Sequence, residues 1–355
     1  MTLRVLFTCG REPEYPRNSV MRAALGCCFD VTEVTDNSLS LPVRYARIIP
    51  RLLRCSFNDY DMVFVGFLGQ PLMPLIHLLT PSPILFDAFL SIYDTLCFDR
   101  RVFPPSSLPG KFSFWLDRKT CQQADHVLLD TRSHVQFFND TFGIPTRKLD
   151  SLFVGCDESV FYPRPNKSTS ISVLYYGSFL PLQGIDVIVR AAKLLENHTD
   201  VHFRIIGEGM ESHNIQKLVQ DLEVKNIEFL APVPIEELPN HISQATLCLG
   251  GHFGSAEKSS RVIAGKTFQC LAMGRPTIVG DNPANRELLT HGFDAWFCSM
   301  NDPQALADAI LQLVNNPALC EELGKHAYQT FRQKASIQVL SEKLRKIVDR
   351  LVEDE

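Results

Sequence analysis

The sequence lacks the features that mark several function classes. Its 355 residues carry 35 Lys+Arg against 40 Asp+Glu, a net charge of −5, so the cation excess that non-specific nucleic-acid binding requires is missing. It has eleven cysteines, but no Cys-x-x-Cys pair and no Cys/His spacing suited to zinc. Cys9, Cys248 and Cys270 sit inside apolar runs, where a free thiol behaves as a small hydrophobe. An odd cysteine count without a framework points to a reducing compartment, hence a cytoplasmic location. No uninterrupted apolar stretch reaches the ~20 residues of a membrane-spanning helix. The longest, 62–93, is broken by Pro71, Pro74, Pro81 and Pro83 and contains Gln70, His77 and Asp87. The first residues run directly into Arg11, Glu12 and Glu14, unlike a secretory leader.

What is present is an ordinary globular composition, 45% hydrophobic and 21% charged, over a length that suits about two domains. Short buried strand patterns alternate with helical ones. RVLFT at 4–8 ends at Cys9-Gly10, MVFV at 62–65 ends at Gly66, ILF at 84–86 precedes Asp87, and HVLL at 126–129 precedes a Thr/Ser-capped helix. A Pro/Ser/Thr/Asn-rich stretch at 157–170 reads as a linker. The alternation then restarts with SVLYY at 172–176, ending at Gly177, and VHFRII at 201–206, ending at Gly207-Glu208-Gly209. The expected fold class is therefore α/β, with two Rossmann-like parallel-sheet domains facing a cleft. The boundaries fall at 1–160, 161–334 and a terminal helix, 335–355, left over with no strand after it.

In open parallel sheets, ligands bind outside the carboxyl ends of the strands, so the residues just after each strand carry the functional expectation. Two segments stand out. Gly177-Ser-Phe-Leu-Pro-Leu-Gln-Gly184 joins a strand to a helix, and exposed N–H groups at such a turn suit a phosphate. Residues 249–289 leave a strand through glycines, then present Lys258, Arg261 and Lys266, and then a helix containing Gln269. Three cations in nine positions between core strands would offset a diphosphate.

The stretch Lys266-Thr-Phe-Gln-Cys-Leu-Ala-Met-Gly274-Arg-Pro276-Thr-Ile resembles the helix-and-strand signature of retaining glycosyltransferase family 4. The Gly177–Gly184 loop resembles that family's diphosphate loop. The N-terminal half is similar through its Gly10 loop, Asp87 after a strand, and LLDTRSHVQFF. The resemblance implies the GT-B fold and transfer of a hexosyl group from a nucleotide-diphosphate sugar to a glycan or lipid-linked acceptor, as in polysaccharide biosynthesis. It implies no cofactor beyond the nucleotide-sugar. The alternatives on the same fold are an epimerase or hydrolase of nucleotide-sugars, or a non-catalytic nucleotide-sugar-binding protein. The sequence departs from the family at the E-x7-E pair, occupied here by Arg261 and Gln269, and at the cations of the diphosphate loop, where Ser178 and Gln183 stand. The resemblance implies that the terminal helix crosses back onto the N-terminal domain and places Gly177, Ser178, Gln183, Gly184, Glu208, Pro232, Val233, Lys266 and Gln269 at the donor; Lys258 and Arg261 are added to donor binding because they can make up for the cations missing at Ser178 and Gln183.

Catalytic roles are expected of Lys258 and Arg261, which would stabilise charge growing on the departing phosphate, and of Asp87, as base or sugar-orienting group. Gly10, Arg11 and Asp94 are expected at the acceptor. No metal is implied: the only Asp-x-Asp triplet, Asp59-Tyr60-Asp61, precedes a strand rather than following one. Finally, Arg44, Arg47, Arg51 and Arg54 share one face of a helical pattern, and such a basic face could rest peripherally on anionic lipid.

Overall fold

A computed structural model describes residues 2–165 and 171–353. Residues 166–170 of the expected linker lie outside the described residues. The chain divides into two compact units, Met1–Asp157 with Ser336–Glu355, and Glu158–Ala335. The divisions thus fall at 157/158 and 335/336, against 160/161 and 334/335 read from the sequence.

The first unit is a six-stranded, all-parallel sheet. Its strands are β1 (Arg4–Thr8), β2 (Asp30–Val34), β3 (Met62–Val65), β4 (Ile84–Asp87), β5 (His126–Leu129) and β6 (Leu149–Ser151), in the order β2-β1-β3-β4-β5-β6. Strands β3 and β5 are buried at every residue, because both faces of the sheet are covered. The two-residue period splits β1 between two cores. Val5 and Phe7 pack with Val20, Met21 and Leu25 of helix Pro16–Gly26 and with Leu340, Leu344 and Val348 of the terminal helix Ile337–Glu353. Leu6 joins Ile48, Leu52, Ile76, Phe138 and Phe142 on the other face. The terminal helix is also tied to the unit by Arg350, which donates to Asp150 at 2.8 Å.

The second unit has six parallel strands, β7 (Ile171–Tyr176), β8 (Val201–Ile206), β9 (Ile227–Leu230), β10 (Leu247–Leu249), β11 (Thr277–Gly280) and β12 (Trp296–Cys298), ordered β9-β8-β7-β10-β11-β12. Its main core joins Val173, Tyr175, Phe203 and Leu247 to helices Ile185–Leu194 and Pro303–Val314.

Among the strands and the helices of more than two turns, three elements were not expected from the sequence: β6, β12 and the helix Leu108–Gln123. The strands have only three residues each. The helix has the reverse of the usual pattern, burying Gly110, Ser113, Asp117, Thr120 and Cys121, so no inward apolar period announces it.

Strand order reverses between β1 and β3 in the first sheet and between β7 and β10 in the second. At such a point the connections leave in opposite directions and open a crevice at the carboxyl ends. The site is sought there in each unit.

Candidate functional site

In the second unit, two loops leave the β7/β10 switch point and are bound to each other through backbone. The Phe253 N–H donates to Gln183 O at 3.2 Å and the Gly254 N–H to Leu182 O at 3.3 Å. Gly184 sits at φ +68°, and a Cβ there would collide with the Gly254 nitrogen. Gly177, at φ +138°, donates its N–H to Ile206 O at 3.0 Å and lies so close to Gly207 that a Cβ on Gly207 would overlap the Gly177 carbonyl oxygen. Beside the Gly177–Gly207 approach lies an open pocket of about 480 Å³ lined by Tyr176, Gly177, Ser178, Ile206, Gly207, Glu208, Gly209, Pro232, Val233 and Leu238. Five of the residues expected at the donor therefore line one cavity: Gly177, Ser178, Glu208, Pro232 and Val233.

Lys266 opens the helix Gly265–Ala272 that follows β10 and reaches back between the two loops. Its Nζ lies 3.3 Å from where a Cβ of Gly177 would stand and 3.6 Å from that of Gly251. It donates to Gln183 Oε1 at 2.5 Å and sits 4.2 Å from the centroid of the Tyr175 ring. The residue is 7% exposed, and burial pushes its ammonium down to about 7. Its neighbours are an amide oxygen and a ring face, and no carboxylate pairs with it among the described residues. A buried ammonium facing a loop of glycine backbone is arranged for an anion.

His252, which the sequence reading passed over, lies beside it. Burial, then Lys266 and, more weakly, Lys258 push its imidazole down to about 3, so it remains neutral. The Lys266 and Lys258 charges thus act on one point. Lys258 is buried in the turn Glu257–Ser260, and Arg261 follows that turn, 3.6 Å from the exposed Glu257 carboxylate. None of Lys258, Arg261 and Lys266 lines the 480 Å³ pocket.

The two amide side chains are each engaged within the protein through their oxygens. Gln183 Oε1 accepts from both Lys266 and the Tyr175 hydroxyl, the latter at 3.3 Å, so it positions the lysine. Gln269 uses its Oε1 to accept from the Tyr176 hydroxyl at 2.8 Å, leaving recognition of a hydroxyl to its NH₂ group.

In the first unit, Asp87 is the main correction. It ends β4, but it is fully buried, and Arg17 grips both of its oxygens, Nε to Oδ2 at 2.8 Å and Nη2 to Oδ1 at 2.9 Å. Arg17 Nη1 also donates to Leu152 O and Phe153 O. Burial raises the Asp87 carboxyl above its usual range and Arg17 opposes that. With both oxygens occupied by a fully buried guanidinium, Asp87 is not available as a base. It is a structural partner.

Gly10 is at the β1/β3 switch point. Its N–H and that of Arg11 both donate to Phe67 O, at 3.1 and 3.0 Å, and a Cβ on Gly10 would overlap Leu68 O. Leu68 and Phe89, which follow β3 and β4, hold φ of +58° and +52°. Such strain in bulky residues clusters at functional edges. Gln70, 1% exposed, has a buried Oε1 without a partner at the same edge. Arg11 pairs with Glu12 at 2.8 Å, and Asp94 is buried in a short turn whose N-terminus Ser91 caps at 2.9 Å. Only loop composition hinted at Leu68, Gln70 and Phe89.

The expected basic stripe also changes. Arg44 is fully buried and bonded to Gly10 O, Glu12 and Ser38 O. Arg47 and Arg51 engage Ser38 and Thr35, and Arg54 lies beyond the end of helix Leu41–Leu52. Asp61 of the Asp-x-Asp triplet accepts the Arg4 N–H at 2.7 Å, at the amino end of β1.

Residues 161–330 match the family described as glycosyl transferases group 1. The chain is 23% identical over 200 residues to an uncharacterised glycosyltransferase of Methanocaldococcus jannaschii, covering 56% of this chain and 53% of that one. It is 23% identical over 232 residues to an N-acetyl-alpha-D-glucosaminyl L-malate synthase of Bacillus anthracis, covering 60% and 57%. The chain therefore spans about half the length of these relatives. Among solved structures, it is similar to Anabaena HepE in complex with UDP, with TM-score 0.73, 11% identity and 98% and 100% of the two chains covered. It is also similar to a sucrose-phosphate synthase of Thermosynechococcus elongatus, with TM-score 0.77, 13% identity and 99% and 100% covered. At these identities the likeness establishes the fold, which is GT-B, with a Rossmann-like sheet in each unit.

Proposed function

We propose that this chain is a glycosyltransferase of the retaining, family 4 kind. It moves a hexosyl group from a nucleotide-diphosphate sugar to a glycan or lipid-linked acceptor and uses neither a metal nor a cofactor. The observation that carries the reading is Lys266, a buried ammonium with no paired carboxylate among the described residues, held between the Gly177 and Gly251 backbones at the switch point of the unit that matches the group 1 glycosyl transferases.

In this reading the nucleoside occupies the pocket beside Glu208, Pro232 and Val233, and the NH₂ of Gln269 meets a ribose hydroxyl. The diphosphate lies over the Gly177 and Gly251 backbones against Lys266. As the glycosyl–phosphate bond breaks, negative charge grows on the departing oxygen. Fixed cations at Lys266, Lys258 and Arg261 stabilise that charge more than the ground state. The first unit binds the acceptor near Gly10 and Arg11, without Asp87 as base. A cytoplasmic location fits eleven free thiols, and no described helix is long and apolar enough to cross a membrane.

The test is a panel of UDP-, GDP- and ADP-sugars, read by thermal shift and then by product formation in EDTA. A shift with one nucleotide class is expected, together with a product of unchanged anomeric configuration. Lys266→Ala should lower turnover by about 10²–10³-fold. Donor consumption without an acceptor would indicate the epimerase or hydrolase instead. No shift with any nucleotide-sugar would overturn the reading.

A further inference from the structure

The helix Leu108–Gln123 is inverted relative to a helix that faces water. Its inward residues are Gly110, Ser113, Asp117, Thr120 and Cys121, whereas Leu108, Phe112 and Trp115 are 84%, 59% and 52% exposed. At ~100° per residue, Leu108, Phe112, Trp115 and Lys119 fall within roughly 60° of one another, with Lys111 and Arg118 along one margin. The Phe112 and Trp115 rings stack with centroids 5.7 Å apart, so the apolar patch is continuous. Phe98 and Val102, both exposed, precede it.

The exposed charge carried by this stretch of chain has one sign. Between 98 and 122 the exposed charged residues are Arg100, Arg101, Lys111, Arg118 and Lys119, and the two acids in that span, Asp99 and Asp117, are buried. Helix Leu41–Leu52 differs, since Arg44, Arg47 and Arg51 are engaged by Glu12, Asp36, Ser38 and the Thr35 carbonyl.

We propose that residues 100–102 and the outer face of helix Leu108–Gln123 dock this protein onto an anionic lipid bilayer. The aromatic pair and Leu108 enter the headgroup–acyl boundary, and the five cations sit at phosphate level. Aromatic and aliphatic side chains rimmed by cations suit that boundary. A second copy of the chain suits it poorly, because a two-fold contact would set five cations against five. The segment 91–101 leaves the carboxyl end of β4, so the surface begins at the sheet edge where the acceptor is proposed to bind. The bilayer contact itself does not depend on the transferase reading.

The test uses the full chain with phosphatidylcholine vesicles, with and without phosphatidylglycerol. Co-sedimentation is expected only with the anionic vesicles. A Trp296→Phe variant, which leaves Trp115 as the sole indole, should show a blue-shifted emission with them. Phe112→Ser with Trp115→Ser should lower partitioning by about tenfold or more, from the lost apolar burial. Lys111→Gln with Arg118→Gln should lower it by about thirtyfold, from roughly 1 kcal/mol per basic residue near an anionic leaflet. The Gln pair alters only exposed positions and keeps the test open if the aromatic pair fails to fold. Absence of wild-type binding, equal binding to neutral vesicles, or full binding by the variants would overturn the proposal. So would a lipid-free dimer that the serine variant dissolves, which would assign the face to self-association.

Discussion

Each unit buries cations near its switch point, but the two treat them differently. In the first, Arg17 is matched by both oxygens of Asp87, and Arg44 by Glu12 and two carbonyls. In the second, Lys266 meets an amide oxygen, a ring face and glycine backbone. A buried cation with its carboxylate is a strut, because the pair is neutral and closed to ligand. A buried cation lacking one holds unmet charge, and an arriving anion completes it. The difference separates two sites that look alike in sequence, each a glycine turn with a nearby basic residue.

Breaking the first unit's pair should have the largest effect. Asp87→Ala leaves Arg17 buried without its partner and should cost about 3–5 kcal/mol of stability, measured by denaturant unfolding. A loss below about 1 kcal/mol, the range of exposed pairs, would show that the pair is not a strut. Lys266→Ala should run the other way. It removes an ammonium that burial disfavours, so the melting temperature should hold or rise while turnover falls.

The next effect depends on pH. Burial holds the Lys266 ammonium at about 7 in the free protein, far below its unfolded value. Between those two pH values the unfolded chain binds more protons, so this group makes folding more favourable as pH rises. An anion reverses the preference by favouring the charged form. Nucleoside diphosphate affinity should therefore be full below pH 7 and fall by about tenfold per unit above it, with proton uptake on binding. Calorimetry in buffers of different ionisation enthalpy measures both. A flat profile that Lys266→Ala leaves unchanged would remove the lysine from the diphosphate site.

The smallest effect tests how Gln269 is held. Tyr176→Phe removes the hydroxyl that donates to Gln269 Oε1 and should cost about 1 kcal/mol. If the amide positions a ribose, the change should appear as a raised donor KM with kcat nearly intact. A pure loss of stability would limit Tyr176 to packing.

Much of this was legible in the sequence because buried parallel strands read as short apolar runs ending in glycine. MVFV and SVLYY are such runs, and the Gly177–Gly184 loop follows from where the second ends. The failures share a cause. Asp87 after a strand looks the same whether its partner is a substrate or an arginine 70 positions away, and only tertiary structure brings Arg17 there. Arg44 looked like surface charge because its partners, Gly10 and Glu12, are 34 and 32 residues distant. Helix Leu108–Gln123 was missed because its apolar residues point outward. Gln70 and the strained Leu68 and Phe89 gave no periodic signal at all.

The backbone lacing of Gln183 to Phe253 and of Leu182 to Gly254 has a further consequence. The two strips of chain are aligned by backbone groups that every residue carries, with Gly184 needed for their close approach and Phe179, Leu182 and Gln183 anchoring the loop. The loop can be respelled at Ser178 but not relengthened. Replacing Ser178 leaves the seam in register, whereas inserting one residue would shift every link past its mate. If this loop holds a donor as proposed, its preference is open to change at Ser178 and closed to change by length.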